Sequence, residues 1–186
     1  IDLATRADIV IESFRPGVMQ RLGLDAATLR RRRPDGIYLS MSGFGQTGRD
    51  AHLPATDTVI QGCSGLMSLN RDAQGAPQRF PAIIIDVASG LYGFQAVMAA
   101  VVARLRWGRG ATIDCSLLQS ALALQAPSIV KHQFEQGRPS VIYVPLGVLA
   151  TRDGHLSISV NRDAQFTAFC KAMGRAELAA HPHYRT

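Results

Sequence analysis

Short apolar runs alternate with helical periodicities along the first two thirds of the chain. "DIVIE", residues 8–12, predicts a buried strand; "SFRPG" predicts a loop and "VMQRLGL" a short helical piece. The spacing then predicts a helix from Ala26 to Arg33 and a second strand from Gly36 to Ser40. After a glycine-rich stretch and the turn-like "RDAHLPA", a helix is expected from Thr58 to about Leu69, and Asn70 to Phe80 reads as an exposed excursion. "AIII", Ala82 to Ile85, predicts a third strand ending at Asp86. From Val87 to Arg106, the positions Val87, Leu91, Phe94, Met98, Val102 and Leu105 form one helical face, which predicts the core side of a long helix. "ATIDC", Ala111 to Cys115, predicts a fourth strand, and Ser116 to Phe134 a helix that Pro127 kinks or divides.

This rhythm of strand, helix and strand is that of an α/β fold. Beyond "EQGRPS" it changes. "GVLATRDGHLSISV", Gly147 to Val160, predicts a hairpin turning at Asp153-Gly154. Arg162 to Gly174 then predicts an amphipathic helix carrying Phe166, Phe169 and Met173. The expected organisation is one large α/β domain over 1–136, a linker over 137–145 and the start of a smaller α+β domain over 146–186. The chain opens on Ile1 and ends on "HPHYRT", which reads as an internal piece of a longer protein.

The uncharged stretch from Val87 to Ala103 is interrupted by Ser89, Gly90, Gly93 and Gln95, so a buried helix is expected there and no membrane span. Cys63, Cys115 and Cys170 are too scattered for a zinc site or a disulfide framework, and the five histidines form no ligand pattern. No metal is expected, and a reducing, cytoplasmic location is. The net charge of +6 suits either nucleic acid or a polyanionic small molecule. Its dense run, Arg30 to Arg33, follows Asp25 and precedes Pro34, which reads as the solvated last turn of a capped helix. No nucleic-acid motif accompanies it, so no nucleic-acid partner is expected.

Gly43, Gly45 and Gly48 spell G-x-G-x-x-G, the letters of a dinucleotide fingerprint. The context fails: "RDAHLP" after Gly48 is poor helix material, and Asp72 lies in an irregular polar stretch where no strand ends. Two readings stay open on physical grounds, a tight surface turn and a loop whose N–H groups grip an anion. Asp86, between an apolar run and a long helix, reads by itself first as a helix-capping aspartate.

Six blocks in order change that weighting: "ESFRPGVMQRLGLD", "GIYLSMSGFGQTG", "SGLMSLN", "IIIDVASGLYG", "GRGATIDCSLLQSAL" and "GVLATRDGHLSISV". Together they resemble the class III coenzyme A transferase family, which includes formyl-CoA and carnitine-CoA transferases and 2-methylacyl-CoA racemases. The resemblance implies an incomplete Rossmann-like large domain without a dinucleotide, and an intertwined homodimer for the full-length parent. It implies an acyl-CoA:carboxylate CoA-transferase that takes a coenzyme A thioester as substrate and holds no permanent cofactor. Asp86 matches the family's catalytic aspartate, the nucleophile of an aspartyl anhydride pathway. Phe14, Arg15 and Pro16 match a wall beside the CoA nucleotide, and Gly43, Gly45 and Gly48 a signature loop near CoA. Arg15 could instead pair with Glu12 or face solvent, and Arg49 and Arg79 are weaker candidates on charge alone.

Thr56 and Asp57 are substrate-pocket candidates. In the racemases a histidine stands where this chain has Thr56, and threonine cannot shuttle that proton near neutral pH. A transferase is therefore the leading expectation; a racemase and a non-catalytic CoA-binding relative are the alternatives.

Overall fold

The computed structural model describes residues 1–136 and 143–184. Most of the predicted linker, 137–142, lies outside the described residues. Two compact units are present, Ile1–Lys131 and His132–Thr186.

The first unit is built on a parallel sheet in the order β1 (Ile9–Glu12), β2 (Ile37–Ser42), β3 (Ala111–Ser116). Ile9 pairs with Ile37 and Ile37 with Ala111, and the ladder runs on to Ser42 opposite Ser116. Between β1 and β2 lie α2 (Val18–Arg21) and α3 (Ala26–Arg32), and α1 (Asp2–Arg6) precedes the sheet. α3 starts where Asp25 accepts the N–H of Thr28 at 3.0 Å, and it ends in Arg30, Arg31 and Arg32, which favour the negative end of its dipole. Arg33 has a different role. Its guanidinium reaches the carbonyls of Arg6 and Ala7 and, at 2.6 Å, the carboxylate of Asp8.

α4 (Asp57–Cys63) ends before Gly65, whose φ of 79° breaks the predicted longer helix and leads into a 3-10 turn at Leu66–Leu69. α5 (Ile84–Trp107) begins three residues earlier than predicted, so Ala82 to Ile85 is not a strand. Ile84 and Ile85 form its first turn because a carboxylate elsewhere in the fold receives the turn's free N–H groups. Tertiary bonding here overrides the strand preference of an isoleucine run.

The core side of α5 also differs from the prediction. Ile85, Ala88, Ser89, Gly93, Val97 and Ala100 are buried, whereas Val87, Leu91, Phe94, Met98, Val102 and Leu105 are exposed. A small-residue face lets the helix lie close on β2: a Cβ at Gly93 would stand 3.3 Å from Leu39 Cδ2. By length and composition α5 could cross a membrane, with a mean hydropathy of 1.5 over its most apolar window. Its small face is nevertheless packed on the sheet.

After β3, Ser116 and Gln119 form a reciprocal capping box that starts α6 (Leu117–Leu124). The predicted division occurs at Gln125, and α7 (Ala126–Phe134) carries Pro127 in its first turn, where a missing N–H costs no bond. Ile60, Leu66, Ile85 and Ala121 form the central apolar cluster, with Phe44, Ala55 and Phe80 against it.

The second unit contains the predicted hairpin, β4 (Leu146–Ala150) and β5 (His155–Ser159), paired antiparallel with Ala150 opposite His155. α8 (Asp163–Ala172) follows, and its own Cys170 is buried. A cavity of about 680 Å³ in this unit is lined by residues such as Tyr143, Pro145, Phe166, Phe169 and Tyr184, and none of the candidate residues borders it.

Candidate active site

α5 runs antiparallel to the sheet. Near its start, the Ser89 carbonyl lies 3.7 Å from Cys115 Sγ, close to the C-terminal end of β3; near its end, Arg104 reaches Asp8, just ahead of β1. The first turn of α5 therefore stands at the edge where β1, β2 and β3 all end. In open parallel sheets this is the edge at which ligands bind, because loops and helix N-termini converge there. Phe14, Arg15 and Pro16 leave β1 at this edge, and Gly43 to Gly48 leave β2.

Asp57 connects two elements across it. Buried at 5% exposure, its Oδ2 accepts the N–H groups of Ile85 at 2.7 Å and Asp86 at 3.2 Å. Its Oδ1 accepts Gln61 Nε2 at 2.6 Å. Gln61, fully buried, accepts the Phe80 N–H through Oε1 at 2.9 Å and donates through Nε2 to the Ala82 carbonyl at 3.2 Å. The segment leading into α5 is thereby tied to α4.

Asp86 is not the cap of α5. Ile83 holds that position without a side-chain bond, and the capping acceptor is Asp57. The Asp86 side chain is exposed, and among the described residues nothing donates a hydrogen bond to its carboxylate. Desolvation by the surrounding protein, and then the negative charge of Asp57, push its carboxyl above the ordinary aspartate range. A carboxylate in a helix first turn, unpaired and raised, is more basic and more nucleophilic than one in an ion pair.

Gly43 approaches Ala55 so closely that a Cβ would overlap the Ala55 Cβ, which brings the loop after β2 beside the start of α4. Thr56 caps α4, its hydroxyl 3.5 Å from the Val59 N–H. Thr56, Asp57 and Asp86 are thus gathered at one place, with Gly43 one residue contact away. Gly45 is buried at φ 92° against the Asp114 carboxylate, which accepts the Gln46 N–H at 2.9 Å. One donor of the glycine loop is therefore occupied by the protein's own carboxylate.

Phe14 and Arg15 are exposed and Pro16 half-buried. Arg15 does not pair with Glu12, whose carboxylate instead accepts the Phe14 N–H at 2.8 Å. Among the described residues Arg15 has no ion pair, so its guanidinium is open to an anion. Arg49 is joined to Asp50 at 3.2 Å, and Arg79 is exposed on the excursion. Among the described residues no group of three His, Cys, Asp or Glu side chains could hold a metal ion.

Sequence reasoning missed Gln61 and Asp114. The spacing of Asp57 and Gln61, one helical turn apart, was the available signal for the first. Asp114 gave none, because its partner at Gln46 is 68 residues away in sequence.

The model of CoA-transferase family III matches residues 1–186. The chain is 35% identical to an acetyl-CoA:oxalate CoA-transferase of Acetobacter aceti, covering 99% of this chain and 49% of that protein. It is 34% identical to a succinate–glutarate CoA-transferase of Agrobacterium fabrum, covering 99% and 48%. The crystal structure of Rv3272 from Mycobacterium tuberculosis superposes with a TM-score of 0.88 at 31% identity, covering 98% of this chain and 49% of that one. A CaiB/BaiF family protein of Brucella suis superposes with a TM-score of 0.83 at 31% identity, covering 98% and 50%. The chain spans about half the length of the curated relatives it matches. It belongs to CoA-transferase family III.

Proposed function

We propose that the protein to which this chain belongs transfers coenzyme A between an acyl-CoA thioester and a carboxylate acceptor, with Asp86 as nucleophile. The observation that carries the reading is the exposed Asp86 carboxylate, held in the first turn of α5 with no hydrogen-bond donor among the described residues. The relatives' names as CoA-transferases of dicarboxylic acids support the reaction class.

In this reading an Asp86 oxygen attacks the thioester carbonyl, the carbon–sulfur bond breaks, and coenzyme A leaves as thiolate. The acyl group then stands on Asp86 as a mixed anhydride. The thiolate attacks its aspartyl carbonyl and releases the first carboxylate; the acceptor carboxylate attacks the resulting aspartyl thioester and releases the thiolate. The thiolate then takes the acceptor's acyl group from the new anhydride and frees Asp86. The acyl group and coenzyme A are redistributed with no net oxidation. Arg15 would meet a CoA phosphate through its forked donors, with Phe14 and Pro16 as the adjoining wall. Gly43, Gly45 and Gly48 shape the neighbouring loop, and Thr56 faces the reacting end. A Rossmann-like large domain, a homodimer and a cytoplasmic location complete the proposal. Racemase chemistry is not favoured, since Thr56 replaces the proton-carrying histidine.

The test is exchange of a labelled carboxylate into acyl-CoA by the full-length protein. Asp86→Asn is expected to lower exchange at least about 10³-fold, as removal of a nucleophile does, while CoA binding measured by calorimetry persists. Exchange retained in that variant would overturn the assignment. Deuterium entering the α-carbon of a 2-methylacyl-CoA without an acceptor would select the racemase, and neither reaction with CoA bound would select a non-catalytic relative.

A further inference from the structure

Asp57 differs from Asp86 in every respect that decides a carboxylate's role. It is buried, both of its oxygens are engaged, and all three of its partners are donors: the N–H groups of Ile85 and Asp86 on Oδ2 and the Gln61 carboxamide nitrogen on Oδ1. An amide could not satisfy them. Asn at this position would present an N–H₂ to a donor on one side or the other. Turning the Gln61 amide to compensate would set its nitrogen against the Phe80 N–H and its oxygen against the Ala82 carbonyl, two bonds it now makes correctly. The network therefore requires an acceptor at both ends of residue 57. Burying that charge is costly, and charge-assisted bonds at the positive end of the α5 dipole offset the cost.

The consequence is positional. α5 has no side-chain cap of its own, and among the described residues the hydrogen-bonded tie between its first turn and α4 is Asp57, 28 residues earlier. We infer that Asp57 is a positioning residue for Asp86: its carboxylate, pinned by Gln61, sets where the first turn of α5 stands relative to α4. The inference rests on the reading of Asp86 as nucleophile. Asp57 accordingly acts through Asp86 and not by contact with substrate.

The electrostatic surroundings make the role separable from simple support. α6 carries no charged residue, β2 offers only Tyr38, and on β3 the Asp114 carboxylate is turned to Gln46 and the Cys115 thiol to the Ser89 carbonyl. On α4 the other titratable group is Cys63, at the far end, and on α5 Tyr92, Arg104 and Arg106 lie further along the helix. Asp57 is thus the charge that faces Asp86.

The experiment measures carboxylate exchange by the full-length protein as wild type, Asp57→Asn, Asp57→Asn/Gln61→Glu and Asp86→Asn, with folding checked by circular dichroism. Asp57→Asn is expected to lower kcat about 10- to 100-fold, the scale of a displaced reacting group, with KM for acyl-CoA within about twofold. The acid limb of its kcat profile should move to lower pH, because loss of the neighbouring charge lets Asp86 ionise more readily. In the double variant the donor and acceptor of the 57–61 pair are exchanged while the bond to the Ala82 carbonyl is lost, so only part of kcat should return. If the single variant does not fold, Gln61→Leu, which keeps the Asp57 carboxylate and removes its pin, carries the positional readout. Its kcat should fall with KM for acyl-CoA within about twofold, and an unchanged kcat overturns the inference.

A folded variant with kcat within about twofold of wild type, or with an unmoved acid limb, overturns the inference, as does a rise in KM alone, which marks a substrate contact. Undiminished exchange in Asp86→Asn overturns the underlying reading instead, so the two failures are distinct.

Discussion

The Asp86 N–H donates to the buried carboxylate of Asp57 at 3.2 Å, while the Asp86 side chain, on the same residue, is pushed above its ordinary range by desolvation and then by that carboxylate's charge. Asp57 therefore holds the residue by its backbone and destabilises the charged form of its side chain.

A pH dependence of stability follows from this pairing. The folded-state pKa of Asp86 lies above its unfolded value, so the folded chain binds that proton more tightly. The resulting stabilisation is complete below about pH 3.8 and is lost as pH rises through the higher folded value. Asp86→Asn is neutral throughout. Urea denaturation of both proteins from acid to neutral pH should show the variant gaining on wild type across that window and a constant difference below it. Wild type gaining on the variant as pH rises would contradict the shift.

Gly43 has a packing reason that does not involve a ligand. Gly43→Ala should cost about 2 kcal/mol, since its Cβ would overlap that of Ala55. Ala55→Gly removes the obstacle, so a double-mutant cycle by chemical denaturation should return a favourable coupling of about 1 kcal/mol. Additive losses would mean that the approach is looser than described.

Tyr38 is 3% exposed, and its hydroxyl has no hydrogen-bond partner among the described residues. Burial, with Glu12 and Asp25 nearby, pushes its pKa up to about 12. Tyr38→Phe removes an unsatisfied polar atom and keeps the ring, so it should raise stability by about 1 kcal/mol. A loss of similar size would reveal a bond to the hydroxyl.

The two faces of α5 give an inverted expectation for size. In the 186-residue chain, Val97→Ala should cost about 1–2 kcal/mol because Val97 is 6% exposed. Phe94→Ala, at a larger residue that is 63% exposed, should change stability by no more than about 0.5 kcal/mol. Thermal denaturation of both variants decides between this orientation and the one the periodicity predicts.

The site was legible where its signals were local. The Asp25 cap of α3, the hairpin at Asp153-Gly154 and the failure of the glycine letters as a dinucleotide turn each depend on a few adjacent residues. Gln61 and Asp114 escaped because their partners, Phe80 with Ala82 and Gln46, are distant in sequence. A polar side chain states its bonding capacity in the sequence but not which backbone group will fill it.

By itself, the sequence determined most of the alternation of strands and helices, the existence of the long helix and the presence of a carboxylate near its start, because periodicity and turn chemistry act over a few residues. Tertiary structure alone decided which face of α5 is buried. The apolar stripe from Val87 to Leu105 is the stronger pattern, yet only the small face of Ala88, Gly93 and Ala100 can approach β2 closely. It also decided that Ile84 and Ile85 are helical and that Asp86 need not cap its own helix. Both outcomes depend on an acceptor at Asp57, and a helix terminus can draw that acceptor from any part of the chain that the fold brings within reach.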